Sequence, residues 1–179
     1  MTKIQLPLSQ AESLTTKIIE ALTPGCERIE AAGSVRRGRA TVGDLEIVCI
    51  PKPTLDLFGE PVGSMLDLIL SDLVAAGRLL PGDKNGEKYK NFFVPAVAGL
   101  KLDLFITTPE CWGVNFTIRT GSADFTKRLV TQKYKGGLLP GDMVISGARI
   151  WQAGEALHTP EEIDVFKVIG LEWVQPGER

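Results

Sequence analysis

Ala32-Gly33-Ser34-Val35-Arg36-Arg37-Gly38-Arg39-Ala40-Thr41-Val42-Gly43-Asp44-Leu45-Glu46-Ile47-Val48-Cys49-Ile50 gathers four kinds of chemistry into one short run. Gly33 and Ser34 follow the apolar stretch Ile29 to Ala32 and read as a turn. The free N–H groups of such a bend, with a hydroxyl beside them, suit phosphate oxygens. Arg36 and Arg37 come next, and guanidinium forks match phosphate geometry. Gly43 then precedes Asp44-Leu45-Glu46, which runs into the apolar, mostly β-branched Ile47 to Ile50. Residues i and i+2 of a strand face the same side. Asp44 and Glu46 therefore stand side by side, with Leu45 and Ile47 directed into a core. Paired carboxylates repel unless a cation lies between them, and Mg²⁺ takes one or two carboxylates together with substrate phosphates. The segment as a whole points to nucleotidyl transfer. A solvated acidic pair on a surface turn would account for the acids but not for the rest of the constellation.

Working outward, Leu100-Lys101-Leu102-Asp103-Leu104-Phe105-Ile106 is a second buried-strand pattern with one acid at its centre. An unpartnered acid among Leu and Phe would be costly, so it needs a partner. A metal shared with Asp44 and Glu46 is the economical one. Lys101 lies on the face of Asp103 by the same period-two rule, so a plain salt bridge is a competing role for it.

Gly-Ser-x-Arg-Arg-Gly, then Gly-Asp-Leu-Glu, then Leu-Asp-Leu-Phe resembles the polymerase beta type of nucleotidyltransferase, the X family of DNA polymerases. Thr120-Gly121-Ser122-Ala123-Asp124-Phe125 resembles that family's Tyr-Phe-Thr-Gly-Ser segment, and Gly170 to Arg179 resembles the end of its thumb. The resemblance implies an α+β chain in a minimal form. A nucleotidyltransferase palm, a mixed sheet with flanking helices, would occupy residues 1–108, and a small α/β thumb residues 109–179. Asp44, Glu46 and Asp103 would be the catalytic, metal-holding acids for two Mg²⁺ ions, with Mn²⁺ as the alternative ion. Ser34 and Arg37 match positions that bind the β- and γ-phosphates, and Gly33 would allow close backbone approach. Thr120, Gly121 and Ser122 would line the sugar and base of the incoming nucleotide. Phe125 and Thr126 match positions near the nascent base pair, and Lys101 a basic position near the primer end.

The resemblance has departures. Glu46 stands where the family usually has aspartate, Ile118-Arg119 replaces its Tyr-Phe pair, and Val130 occupies a place where an arginine is frequent. The family's amino-terminal lyase domain has no counterpart in these residues, so abasic-sugar lyase activity is not expected.

The remaining composition is that of a packed domain or two small ones: 179 residues, 44% hydrophobic, 23% charged. No apolar run approaches the ~20 residues of a membrane span, and Met1-Thr2-Lys3-Ile4 shows no apolar leader core. Cys26, Cys49 and Cys111 lack CxxC spacing and read as reduced thiols of a cytoplasmic protein, whether of a cell or of a viral genome acting in its host. A net charge of −2 argues against tight nucleic-acid binding, which usually leaves a basic footprint. The densest basic cluster, Lys127, Arg128, Lys133 and Lys135 around Tyr134, is where a phosphate backbone would be met, through Lys127 and Arg128 first.

Coarser features follow the usual signals. Ser9 to Glu12 fits a capping box opening a helix to Leu22, stopped by Thr23-Pro24-Gly25. Leu55 to Gly63 reads as a connecting loop, Met65 to Val74 as an amphipathic helix, Pro81 to Glu87 as turn, and Lys88 to Val94 as an exposed strand. Met143 to Trp151 reads as a β-hairpin, and Thr159-Pro160 as N-cap and first residue of a closing helix. The expected partners are a nucleoside triphosphate and primer-template or gapped DNA, with RNA as the other nucleic acid, for a monomer without a membrane. Two further readings stand beside this one: transfer of NMP to RNA ends, a small molecule or a protein, and a non-catalytic nucleotide-binding module.

Overall fold

In the computed structural model, which describes residues 4–179, the chain parts into two units at Thr107/Thr108. Residues 1–3 of the stretch read for a leader lie outside the described residues. The first unit opens with β1 (Leu6–Pro7), α1 (Leu8–Leu22), β2 (Cys26–Ala31), the single helical turn α2 (Gly33–Arg36), β3 (Thr41–Val42) and β4 (Asp44–Pro51). It continues with β5 (Pro53–Leu55), β6 (Pro61–Ser64), α3 (Met65–Ala75), β7 (Leu80–Asn85), β8 (Tyr89–Phe93) and β9 (Lys101–Ile106). Five strands form one sheet in the order β2-β4-β9-β8-β7. β4 and β9 run parallel at its centre and the other pairings are antiparallel, so the sheet is mixed.

Alternation sorts the two faces of this sheet. Leu45, Ile47 and Cys49 of β4 and Leu102 and Leu104 of β9 are buried together with Ala11 and Leu22 of α1 and Leu66, Leu70 and Leu73 of α3. The opposite face of the same two strands carries Asp44, Glu46, Lys101 and Asp103. Cys26 and Cys49 are free thiols within the core and Cys111 is a half-buried one.

The second unit comprises α4 (Trp112–Thr120), α5 (Ala123–Leu129), β10 (Met143–Ser146), β11 (Arg149–Gln152), β12 (Glu155–Ala156) and α6 (Glu162–Ile169). Its core is built from Val114, Leu129, Leu139, Met143, Ile150, Val165 and Ile169. The three short strands form an antiparallel sheet, so the hairpin expected over 143–151 gains a third strand. The palm-and-thumb α+β class anticipated from the motifs is the observed one.

Five local expectations give way to tertiary structure. Helix α1 begins at Leu8, with Pro7 at the cap position and no side-chain cap, rather than at a box on Ser9. The reason is pairing: Leu6–Pro7 lies against Thr41–Val42, and Leu8 N–H donates to Ala40 O at 3.2 Å. Residues 53–64 form a hairpin, β5–β6, instead of a loop, because the Asp56 carboxylate accepts the N–H groups of Phe58 and Glu60 at 2.8 and 2.9 Å. Residues 80–85 are a bulged edge strand and not a free turn. A Cβ at Gly82 would collide with the Asn91 side chain, whose amide accepts from Lys84 N–H and donates to Asp83, replacing ladder bonds. Strand β8 is consequently an interior strand: Lys90, Asn91 and Phe92 are buried, not exposed.

The fifth shift is at α6, where the cap is Glu161 instead of Thr159. Glu161 and Asp164 form a reciprocal capping box. Thr159 and Glu161 are held extended against α4, since a Cβ at Gly113 would strike both of their carbonyl oxygens. Thr159 is thereby committed to packing.

Candidate active site

The residues singled out in the sequence divide between the two units. Gly33, Ser34, Arg37, Asp44, Glu46, Lys101 and Asp103 lie in the first; Thr120, Gly121, Ser122, Phe125, Thr126, Lys127 and Arg128 lie in the second.

In the first unit, the parallel register sets Asp44 opposite Lys101 and Glu46 opposite Asp103. Neighbouring strands lie about 4.8 Å apart, so three acids and one ammonium share a small area of one sheet face. The turn before α2 closes onto this face. Gly33 adopts φ +56°, and a Cβ there would run into the Glu46 carboxylate. Both facts demand glycine at this position, one for backbone conformation and one for space. Ala32 N–H donates to Glu46 O at 2.8 Å, fastening the turn to β4. The Ser34 hydroxyl is buried and meets no hydrogen-bond partner. A buried donor without a partner is costly unless a ligand satisfies it. Arg37 is drawn below the ordinary arginine range by burial, and the charges of Glu46 and Asp44 oppose that shift.

Asp103 is 8% exposed and held through one oxygen. Tyr89 Oη donates to Asp103 Oδ1 at 2.6 Å, Lys101 Nζ reaches the same oxygen at 2.8 Å, and Lys101 Nζ donates to Tyr89 Oη at 3.1 Å. The Tyr89 ring stacks on Phe105 with centroids 5.1 Å apart. Hydrogen bonding to Asp103 pushes the Lys101 ammonium well above the usual lysine range, so it stays charged at neutral pH. Burial, and then the bond to Asp103, pushes the Tyr89 phenol up as well.

Tyr89 is the site residue that sequence reasoning missed. Its strand was expected, but which of its faces met Asp103 depended on a register that no local signal carries: Asn91 opposite Asp103, and Tyr89 opposite Phe105.

Among the described residues, no three acidic, histidine or cysteine side chains are drawn together tightly enough to enclose a metal ion. The chemistry of the donor set nonetheless fits Mg²⁺. Three carboxylates on one face of adjacent strands supply oxygen ligands only, as hard cations require, and both hydrogen bonds to Asp103 fall on Oδ1.

In the second unit, α4 ends at Gly121, φ +71°, and Ser122 caps α5 by accepting Phe125 N–H at 3.3 Å. The Gly121–Ser122 peptide is cis. Thr120 and Gly121 are buried. Thr126 Oγ1 donates to Ile118 O at 3.0 Å, tying α5 to the end of α4. Phe125 stacks on Phe166 at 5.9 Å, with the Arg179 guanidinium 5.4 Å from its ring. Its ring therefore belongs to the unit's own packing. Lys127 and Arg128 lie exposed on α5, and Tyr134 is exposed beneath Lys135, whose Nζ is 5.3 Å from the ring centroid.

No protein-family profile matches the chain. It is similar to DNA polymerase lambda of Rattus norvegicus, 26% identical over 183 residues, covering 96% of this chain and 32% of the relative. It is also similar to DNA polymerase lambda of Arabidopsis thaliana, 27% identical over 190 residues, covering 96% of this chain and 35% of the relative. The chain thus spans about a third of the length of the curated relatives it matches. The resemblance to X-family DNA polymerases extends over nearly all of the chain.

Proposed function

We propose that the chain catalyses Mg²⁺-dependent transfer of a nucleotidyl group from a deoxynucleoside triphosphate to the 3′-hydroxyl of DNA, filling gaps in repair. The observation that carries this reading is the parallel register of β4 and β9, with Glu46 beside Asp103 and Asp44 next on the same face. The similarity to DNA polymerase lambda supports the same chemistry.

Asp44 and Glu46 would hold both ions, and Asp103 one of them. When bound, such ions lower the pKa of the attacking hydroxyl and neutralise charge on the triphosphate and the departing pyrophosphate. The chain's own residues bind and orient. The Ser34 hydroxyl, buried and unpartnered, is a donor for a phosphate oxygen, and Arg37 supplies a guanidinium beside it. Gly33 keeps the turn free of a side chain where the triphosphate approaches. Lys101 neutralises one oxygen of Asp103 and lies near the primer end, and Tyr89 fixes that carboxylate from the neighbouring strand. Thr120, Gly121 and Ser122 line the sugar and base. Phe125 and Thr126 would lie near the nascent base pair, with the Phe125 ring stacked inside its own unit. Lys127 and Arg128 receive the phosphate backbone.

Labelled gapped DNA, single-stranded DNA and RNA, each incubated with single nucleotides and Mg²⁺, test the reading. Template-dictated extension of the gapped substrate is the expected result. Untemplated addition, or transfer to RNA alone, would move the assignment to an end-adding nucleotidyltransferase.

A further inference from the structure

Lys90 breaks the pattern of the sheet it belongs to. It stands opposite Leu104, on the apolar face and not on the face of the acids, and is only 8% exposed. A charge in such a place has to be paired. Lys90 Nζ meets Asp67 Oδ1 of α3 at 3.1 Å and donates to Asn85 Oδ1 of β7 at 3.0 Å. Asn85 is its cross-strand neighbour, so the three groups converge between α3 and the edge strand. They do not fill the space there. A cavity of about 400 Å³ opens beside them, walled on its apolar side by Leu70, Val74 and Phe92. That volume is in the range of small-ligand sites. Neutralising a lysine requires no cavity, and a local rule broken at the wall of one is expected of a functional site.

Bonding capacity remains at the pair. An ammonium carries three N–H donors, and two of those on Lys90 have partners. Asn85 turns its oxygen to Lys90, which leaves its amide nitrogen without a protein partner, and Asp67 Oδ2 has none either. Lys90 touches both of the others and so lies between them. The order along the cavity is acceptor, donor, donor: Asp67 Oδ2, Lys90 Nζ, Asn85 Nδ2.

We infer that this cavity is a second nucleotide site, which takes a free mononucleotide of the guanine type, a 6-oxopurine. The complement of acceptor, donor, donor is the run N1–H, O6, N7 along one edge of that base. Adenine sets an amino donor where O6 would be, against the Lys90 ammonium. Thymine and uracil offer a donor beside O4 but no third acceptor, and cytosine has its amino donor at the position of O4. A bare anion is repelled by Asp67 and a metal cation by Lys90. At the rim, the Lys84 ammonium is held only by Asp83 at 3.4 Å and is 60% exposed, which suits the phosphate of the nucleotide. The inference goes beyond nucleotidyl transfer and does not rest on it. Lys90 and Phe92 lie on the face of the sheet away from Asp44, Glu46 and Asp103, so an occupant leaves the acids open and a bound strand need not reach it.

Isothermal titration calorimetry on the full chain tests this, in EDTA so that no metal serves the acidic face. Guanosine and inosine monophosphates should bind alike, because N1–H, O6 and N7 are common to both. Adenosine monophosphate should bind on the order of tenfold more weakly or worse, and 7-deazaguanosine monophosphate severalfold more weakly. Asn85→Ala, at an exposed position, should weaken guanosine monophosphate severalfold and erase its advantage over the 7-deaza analogue. A merely structural role for Asn85 would leave that advantage in place. Lys90→Met keeps the stem, removes the ammonium and should abolish binding, with thermal melting to check the fold; Asn85→Ala decides the matter if Lys90→Met does not fold. Equal affinity for the guanine and adenine nucleotides, an unchanged 7-deaza preference in Asn85→Ala, or no binding of guanosine monophosphate at millimolar concentration would overturn the inference. So would tighter binding of the pentanucleotide d(TTGTT) than of the mononucleotide, which would assign the cavity to a strand.

Discussion

Lys101 with Asp103 in the first unit, and Arg179 with Glu162 in the second, are both acid–base pairs withdrawn from water, yet they are enclosed differently. Arg179 Nη1 meets Glu162 Oε1 at 2.8 Å with the two side chains 0% and 7% exposed. Trp173 Nε1 donates to Glu162 Oε2 at 3.2 Å, Val174 O accepts from Arg179 Nε at 2.8 Å, and the rings of Phe125, Phe166 and Trp173 surround the guanidinium. The Lys101–Asp103 pair is shorter of cover. The lysine is 37% exposed, and Asp44 and Glu46 stand on the same face. Equal separations of 2.8 Å thus serve two ends. A pair sealed among aromatic rings is a staple, because nothing can replace either partner. A pair at the edge of an acidic face can be exchanged for another cation.

The largest expected effect opens this contrast at the first pair. On the proposed function, Asp103→Asn should lower nucleotidyl transfer on the order of 10⁴-fold, since it would remove one charged metal ligand from the acidic face. Stability, read by urea unfolding, should move by less than about 1 kcal/mol, because Lys101 remains wet enough to be solvated. Near-normal turnover in this variant would remove Asp103 from the chemistry. Glu162→Gln should behave in the opposite sense. It strands a buried guanidinium and should cost about 3–5 kcal/mol of stability in the second unit, seen as an earlier urea transition. If that transition stays in place, the enclosed pair is ornamental.

A smaller effect is expected at Tyr89. Tyr89→Phe keeps the stack on Phe105 and deletes the bond to Asp103, so the ring packing is a built-in control. Partners that orient ligand carboxylates are typically worth roughly 10–100-fold in metal affinity or activity. The expected outcome is about a tenfold loss in kcat at fixed Mg²⁺, with KM for the nucleotide unchanged and Mn²⁺ affinity, measured by paramagnetic resonance, reduced in parallel. A rise in KM alone would place Tyr89 at the nucleotide and not behind the carboxylate. The smallest effect concerns the exposed cations. Changing Lys127 and Arg128 to Ala together should flatten the dependence of log K on log salt by about 0.9 for each duplex phosphate no longer neutralised. An unaltered slope would put the nucleic acid on another surface.

Legibility in the sequence followed the range of the interaction involved. The acidic face could be read residue by residue, because alternation along Asp44-Leu45-Glu46 and Lys101-Leu102-Asp103 is a local property of extended backbone, and Leu45 and Leu102 are indeed buried. The helix over 65–75 and the hairpin over 143–151 were legible for the same reason. The turn at Gly33 could be read as well, although the collision a side chain there would have with Glu46 is visible only once the strands are paired.

What only the tertiary structure decided were the partnerships between distant segments. Composition marked 81–87 as turn, but pairing with β8 made most of it a strand, with the Asn91 amide filling the gap over Gly82. Thr159 was the better cap by residue type, yet close approach to Gly113 committed it to packing and moved the cap to Glu161. Tyr89 came to Asp103 across a strand boundary, and Arg179 to Glu162 across the closing segment of the second unit. Periodicity and capping act within a few residues, whereas register and close approach are settled by the burial of whole faces. The acids of this site were therefore written in the sequence, and the groups that hold them were chosen by the fold.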